Sequence, residues 1–228
     1  MAAQPAVAQR SVPTPESVLG YSVGADFRLA RYDESIEYFR QLDAASDHVR
    51  LIEVGETSMG RPWTLALISS PANLSNIERL RAIAQRLAHP ASLTDEEARE
   101  LTVEGRAFVD ISGGLHASEV AGAQHTIQLA YDLVSNADQP RTRAILDNVV
   151  LLLWPSLNPD GQDIVADWYH QNVGGPYEAS PLHELYQKYI GHDNNRDAYM
   201  LNVTESRVIT RVWRDWEPQI IHVHHQSS

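Results

Sequence analysis

His116 and Glu119 stand three residues apart in the stretch Gly113-Gly114-Leu115-His116-Ala117-Ser118-Glu119. An apolar, strand-like run (107–112) precedes it, and a run with helical spacing (117–136) follows. An imidazole and a carboxylate so spaced at a strand-to-helix turn can face one point, and both are ligands that zinc favours. The motif is short, and a surface His beside a helix-capping Glu produces it equally. Its position favours chemistry, because ligands of open α/β sheets bind beyond the carboxyl ends of the strands. The two glycines let the backbone turn sharply without a Cβ penalty. The chain has no cysteine, so any metal must be held by His, Asp and Glu.

A three-ligand zinc site needs one more ligand from another element. His224, at the end of the apolar run Gln219-Ile220-Ile221-His222-Val223-His224-His225, is the candidate. Alternation puts His222 and His224 on one face of that strand and His225 on the other. A His-rich tail that binds metals loosely is the competing reading. Asp193-Asn194-Asn195-Arg196 adds a carboxylate able to brace a metal-bound imidazole. It also supplies a guanidinium fork and an amide suited to a substrate carboxylate. Taken alone, these four residues read equally as a polar turn with an exposed Arg.

The elements that must position these groups follow from periodicity. Asp33–Ala45 reads as a helix, 49–54 and 63–68 as a hairpin, and Ile77, Leu80, Ala84 and Leu87 as a second helix. Thr94-Asp95-Glu96-Glu97 is a capping box that opens a short helix. The run 148–154, apolar at nearly every position, reads as a central strand buried on both faces. Asn158-Pro159-Asp160-Gly161 reads as a turn, and 171–203 as loop-rich with a helix at Leu182–Tyr189. Ile209, Val212, Trp213 and Trp216 form an amphipathic helix that Pro218 ends. The order predicts a single α/β domain, a mixed central sheet with helices on both faces. Residues 1–20 read as a disordered leader and 21–228 as the domain. Ala6-Val7-Ala8 is similar to the cleavage end of a secretory signal, which predicts an extracytoplasmic or secreted protein.

With 228 residues and 43% hydrophobic content, the chain can bury a sizeable core. Its net charge of −12 argues against a nucleic-acid partner. No apolar run approaches the roughly 18 residues of a membrane span. Nothing in the sequence fixes an oligomeric state.

Together these motifs resemble the zinc metallocarboxypeptidase family of the carboxypeptidase A, B and T type, from about Tyr32 to the C-terminus. Gly55-Glu56-Thr57-Ser58-Met59-Gly60-Arg61 is similar to the family's G-x-S-x-x-G-R hairpin. His116–Glu119 matches H-x-x-E, Asn158–Gly161 matches N-P-D-G and Asp193–Arg196 matches D-x-N-R. The resemblance implies Zn²⁺ on His116, Glu119 and His224, with Asp193 bracing the first histidine. Asn195 and Arg196 would hold the C-terminal carboxylate of a peptide substrate, whose last residue is released by metal-activated water. The family's general-base Glu and substrate-covering Tyr would lie beyond Ser228, and its oxyanion Arg has no match in 167–172. The domain is therefore expected to be incomplete at the C-terminus, to leave apolar sheet surface open, and to hydrolyse feebly at most. Alternatives are a zinc amidohydrolase acting on N-acyl amino acids and a non-catalytic zinc- or peptide-binding relative.

Overall fold

A computed structural model describes residues 11–187 and 190–226. The elements run α1 (Pro15–Leu19), α2 (Tyr32–Ala45), β1 (Val49–Glu56), β2 (Pro62–Ile68), α3 (Pro71–Ser75), α4 (Ile77–Ala88), α5 (Asp95–Glu104) and β3 (Ala107–Gly113). They continue with α6 (Ala121–Ser135), α7 (Pro140–Asn148), β4 (Val149–Leu153), α8 (Pro159–Asn172), a 3-10 turn (Asn194–Ala198), α9 (Thr204–Trp216) and β5 (Ile220–His224). The sheet order is β1-β2-β4-β3-β5. β1 and β2 form an antiparallel hairpin, β2 pairs antiparallel with β4, and β3 lies parallel between β4 and β5. This is the mixed sheet of a single α/β domain.

Each face of the sheet carries its own core. Leu65, Leu67, Phe108, Val150, Leu152 and Trp154 meet Leu80 and Ala84 of α4 and Val208, Ile209, Val212 and Trp216 of α9. The opposite faces of the same strands, with Ile68, Leu151 and Leu153, meet Tyr38, Phe39 and Leu42 of α2 and Ile127, Ala130 and Val134 of α6. β4 is buried from Val150 to Leu153, as its unbroken apolar run requires. The Thr94 cap forms as expected: Thr94 Oγ1 accepts from Glu97 N at 3.3 Å, and Glu97 Oε2 accepts from Thr94 N at 2.8 Å.

The structure departs from the sequence expectations in four places. Residues 15–19 are not leader but a helix, capped by Thr14 with Pro15 in its first turn. Val18 and Leu19 pack on the α2/α6 core, which gives this segment the burial a disordered leader lacks. The segment 1–10, with Ala6-Val7-Ala8, lies outside the described residues. The N-P-D-G stretch is the start of α8: Asn158 Oδ1 accepts from Gly161 N at 2.9 Å and Pro159 occupies the first turn. Asn before Pro opens a helix as readily as a turn. The helix expected at 182–189 is absent from 182–187, and Lys188 and Tyr189 lie outside the described residues. Finally, α6 begins at Ala121, leaving His116 and Glu119 in the turn before it.

Candidate metal centre

Close backbone contact builds that turn. A Cβ on Gly113 would lie 2.1 Å from Gly122 O, so the end of β3 and the start of α6 touch main chain to main chain. Gly114 follows with φ +73°, a conformation that side chains with a Cβ rarely adopt. Two amides then pin the carbonyl of Leu115, next to His116: Asn194 Nδ2 donates to it at 2.6 Å and Asn158 Nδ2 at 3.3 Å. The N-cap of α8 and the 3-10 turn thus both fix the backbone that presents the histidine.

His116 Nδ1 lies 2.8 Å from Glu119 Oε1, and its Nε2 lies 2.9 Å from Asp193 Oδ1. On the other side of the carboxylate, His225 Nδ1 lies 2.8 Å from Glu119 Oε2. Ligand atoms of His116, Glu119 and His225 all fall within 4.8 Å of one another. Gln226 N donates to Glu119 Oε2 at 3.1 Å, and Gln226 Oε1 accepts from Ala121 N at 2.8 Å, tying the chain after β5 to the start of α6.

The third histidine in this cluster is His225, not His224. His222 and His224 share one face of the strand, and His225 lies on the other, the one turned toward Glu119. In β5, Val223 packs with Leu115 and Trp213 on the α9 side of the sheet, and His225 continues that face. His222 and His224 face the α6 side, where His224 Nδ1 lies 2.5 Å from His125 Nε2. The usable signal was Val223, whose apolar side chain marks the face of β5 turned to the core.

Asp193 stands where a brace for His116 is needed, and as N-cap of the 3-10 turn it also accepts from Asn195 N at 2.9 Å. Asn195 lines a cavity of about 110 Å³ together with Leu115, Leu157, Ile209, Trp213, Val223 and His225. Arg196 is exposed on the same turn.

Electrostatics follow from these contacts. Burial disfavours the charged form of His116, but its bonds to Glu119 and Asp193 outweigh this and raise its pKa above the ordinary imidazole value. Burial raises Glu119, and the His116, Gln226 and His225 contacts more than reverse it, leaving the carboxyl below its ordinary range. Asp193 is lowered in the same way, burial being outweighed by Asn195 N and His116, with the Arg196 charge assisting. His224 moves the opposite way: burial and the neighbouring His125 and His222 press its pKa down.

The donor set suits a divalent ion of the zinc type. Two imidazoles and a carboxylate converge, and the outer nitrogen of one imidazole already meets a carboxylate, the usual support of a metal-bound histidine. With Zn–N near 2.0–2.1 Å, donors around a tetrahedral ion stand roughly 3.3 Å apart, and the candidate donors here lie within 4.8 Å of one another.

Solved structures share the fold. The carboxypeptidase A of Helicoverpa armigera superposes with a TM-score of 0.57 at 15% identity, covering 94% of this chain and 52% of that one. The metallo-carboxypeptidase of Burkholderia cenocepacia does so with a TM-score of 0.54 at 17% identity, covering 86% and 40%. In sequence, human carboxypeptidase Z is 31% identical over 124 residues, covering 47% of this chain and 19% of that protein. The chain thus spans about half, or less, of these three relatives. Residues 35–217 match the family model for zinc carboxypeptidases, a span that runs from α2 to the end of α9. The chain belongs to the zinc carboxypeptidase family.

Proposed function

We propose that this chain carries the zinc centre and carboxylate-recognition elements of an exopeptidase that releases C-terminal residues from peptides. The observation behind this reading is the convergence of His116 Nδ1, Glu119 and His225 Nδ1 on one point. A zinc ion held there would polarise the scissile carbonyl and acidify a bound water. With an ion in place of the Nδ1 proton, Asp193 would accept from His116 Nε2–H, leaving Nδ1 as the lone pair that faces the ion and fixing the ring. Asn195 and Arg196 bind the terminal carboxylate of the peptide, and the cavity beside Asn195 receives apolar substrate atoms. No carboxylate among the 228 residues is assigned to activating water, so binding, not turnover, is the direct readout.

The test is competitive zinc titration of wild type against His116→Ala, His225→Ala and His224→Ala. One high-affinity zinc equivalent is lost in each of the first two, and that equivalent persists in the third. Unchanged affinity in His116→Ala overturns the reading. On the substrate side, peptides with free C-termini bind more tightly than their amides, and Arg196→Ala erases that preference. An extracytoplasmic location belongs to the same reading. Sequencing the N-terminus of the native protein checks it, an intact Met1 counting against it.

A further inference from the structure

A second group of imidazoles lies on the other face of β5. His222 and His224 share that face, and His125 reaches them from the first turns of α6. The His125 and His224 ring centroids are 4.3 Å apart, as are those of His224 and His222, the latter edge-on. His125 Nδ1 lies 2.7 Å from Gly122 O, so Nδ1–H donates to the carbonyl and Nε2 is left as a lone pair. That lone pair points at His224 Nδ1, 2.5 Å away.

We propose that His125, His222 and His224 form a second site for a divalent transition-metal ion, separate from the His116–Glu119–His225 centre. The arrangement has the parts such a site needs. A metal-bound histidine commonly donates its far N–H to a backbone carbonyl, which fixes its tautomer, and His125 already does so toward Gly122. Two ring nitrogens in contact open to the roughly 3.3 Å separation of a tetrahedral ion when the side chains rotate slightly. The exposed His222 ring, already against His224, is free on its solvent side to turn in as the third donor. An all-imidazole donor set suits Zn²⁺, Cu²⁺ or Ni²⁺ and not the oxygen-seeking Mg²⁺ or Ca²⁺. Three protein ligands leave a fourth position for water or an anion.

The experiment removes the first centre, so that failure of one reading is distinguishable from failure of the other. A His116→Ala/His225→Ala chain is dialysed against Zn²⁺ and its metal content measured. One zinc per chain remains, and a further His125→Ala or His222→Ala change removes it while the far-UV spectrum is unaltered. A folded double variant without zinc overturns the proposal. So does zinc retained after both His125 and His222 are replaced. If the double variant does not fold, His222→Ala alone in the otherwise intact chain decides. Its exposed position spares the fold, and the zinc content falls by one equivalent or the proposal fails.

Discussion

Around Asp160 and around Glu119 the chain gathers ionisable groups from distant segments, and solvent treats the two clusters differently. Asp160, 1% exposed in its side chain, accepts from Thr57 Oγ1 at 2.8 Å and Met59 N at 3.0 Å. Arg61 Nε stands 3.2 Å from it as an ion pair without hydrogen-bond alignment, and Arg61 Nη1 reaches Asp163 at 2.8 Å. This node joins the β1–β2 turn to the first turns of α8, so the G-x-S-x-x-G-R and N-P-D-G motifs meet in one structural clasp. Near Glu119 the side chains of His116, Glu119 and His225 are 17–35% exposed, and the imidazole–carboxylate contacts among them are ones that an ion can replace. Buried charge that is fully committed to neighbours holds the fold. Half-open charge with exchangeable partners is available for binding.

Four measurements sharpen or break that contrast. The largest effect belongs to His225→Ala and His116→Ala, each of which lowers zinc affinity by more than the roughly 10–100-fold that an outer partner is worth. Both leave the melting temperature of the metal-free chain nearly unchanged. Asp160→Ala shows the reverse, a loss of about 3–5 kcal/mol in denaturant titration as a buried pair is broken, with zinc affinity intact. Equal losses of stability at Asp160 and at Glu119 would erase the distinction.

Asp110 extends the comparison to a buried carboxylate with no cation beside it among the described residues. Burial pushes its pKa from 3.8 to about 6, against the pull of Trp154 Nε1 at 2.7 Å and Trp213 Nε1 at 3.1 Å. Between those pH values the folded chain holds a proton that the unfolded chain has released, so stability falls as pH rises through the window. Relative to Asp110→Asn, the wild type loses about 3 kcal/mol across it. Parallel pH–stability curves for the two proteins would remove this role. The smallest effect is that of Asp193→Asn, which keeps a hydrogen bond to His116 but weakens zinc by roughly 10–100-fold. An unchanged affinity would mean that Asp193 does not support the ring.

Much of this was legible in the sequence because the relevant signals are local. β3, β4, the Thr94 cap and the Gly113-Gly114 turn declare themselves through periodicity, capping chemistry and glycine. What escaped depends on partners far along the chain. α8 was hidden because Asp160, Gln162 and Asp163 on its buried side are polar, satisfied by Arg61, Ala30 O, Ser35 and Tyr32 N, so no apolar stripe marks the helix. His225 was missed because alternation gives two faces and does not say which one turns toward His116. The helix at 15–19 has no local signal of burial, because what covers Val18 and Leu19 comes from α2 and α6.

Among the described residues β5 pairs only with β3, with Ile220 and Ile221 56% and 45% exposed. His116 and Glu119 belong to the compact β3–α6 turn, whereas His225 follows β5, which pairs with β3. The candidate metal centre therefore joins parts of very different contact distance, a local half and a remote histidine. An ion that prefers all three ligands favours the docked strand by mass action. Hydrogen exchange along 220–224 should slow when zinc is added, and the ion acts as a latch on that strand.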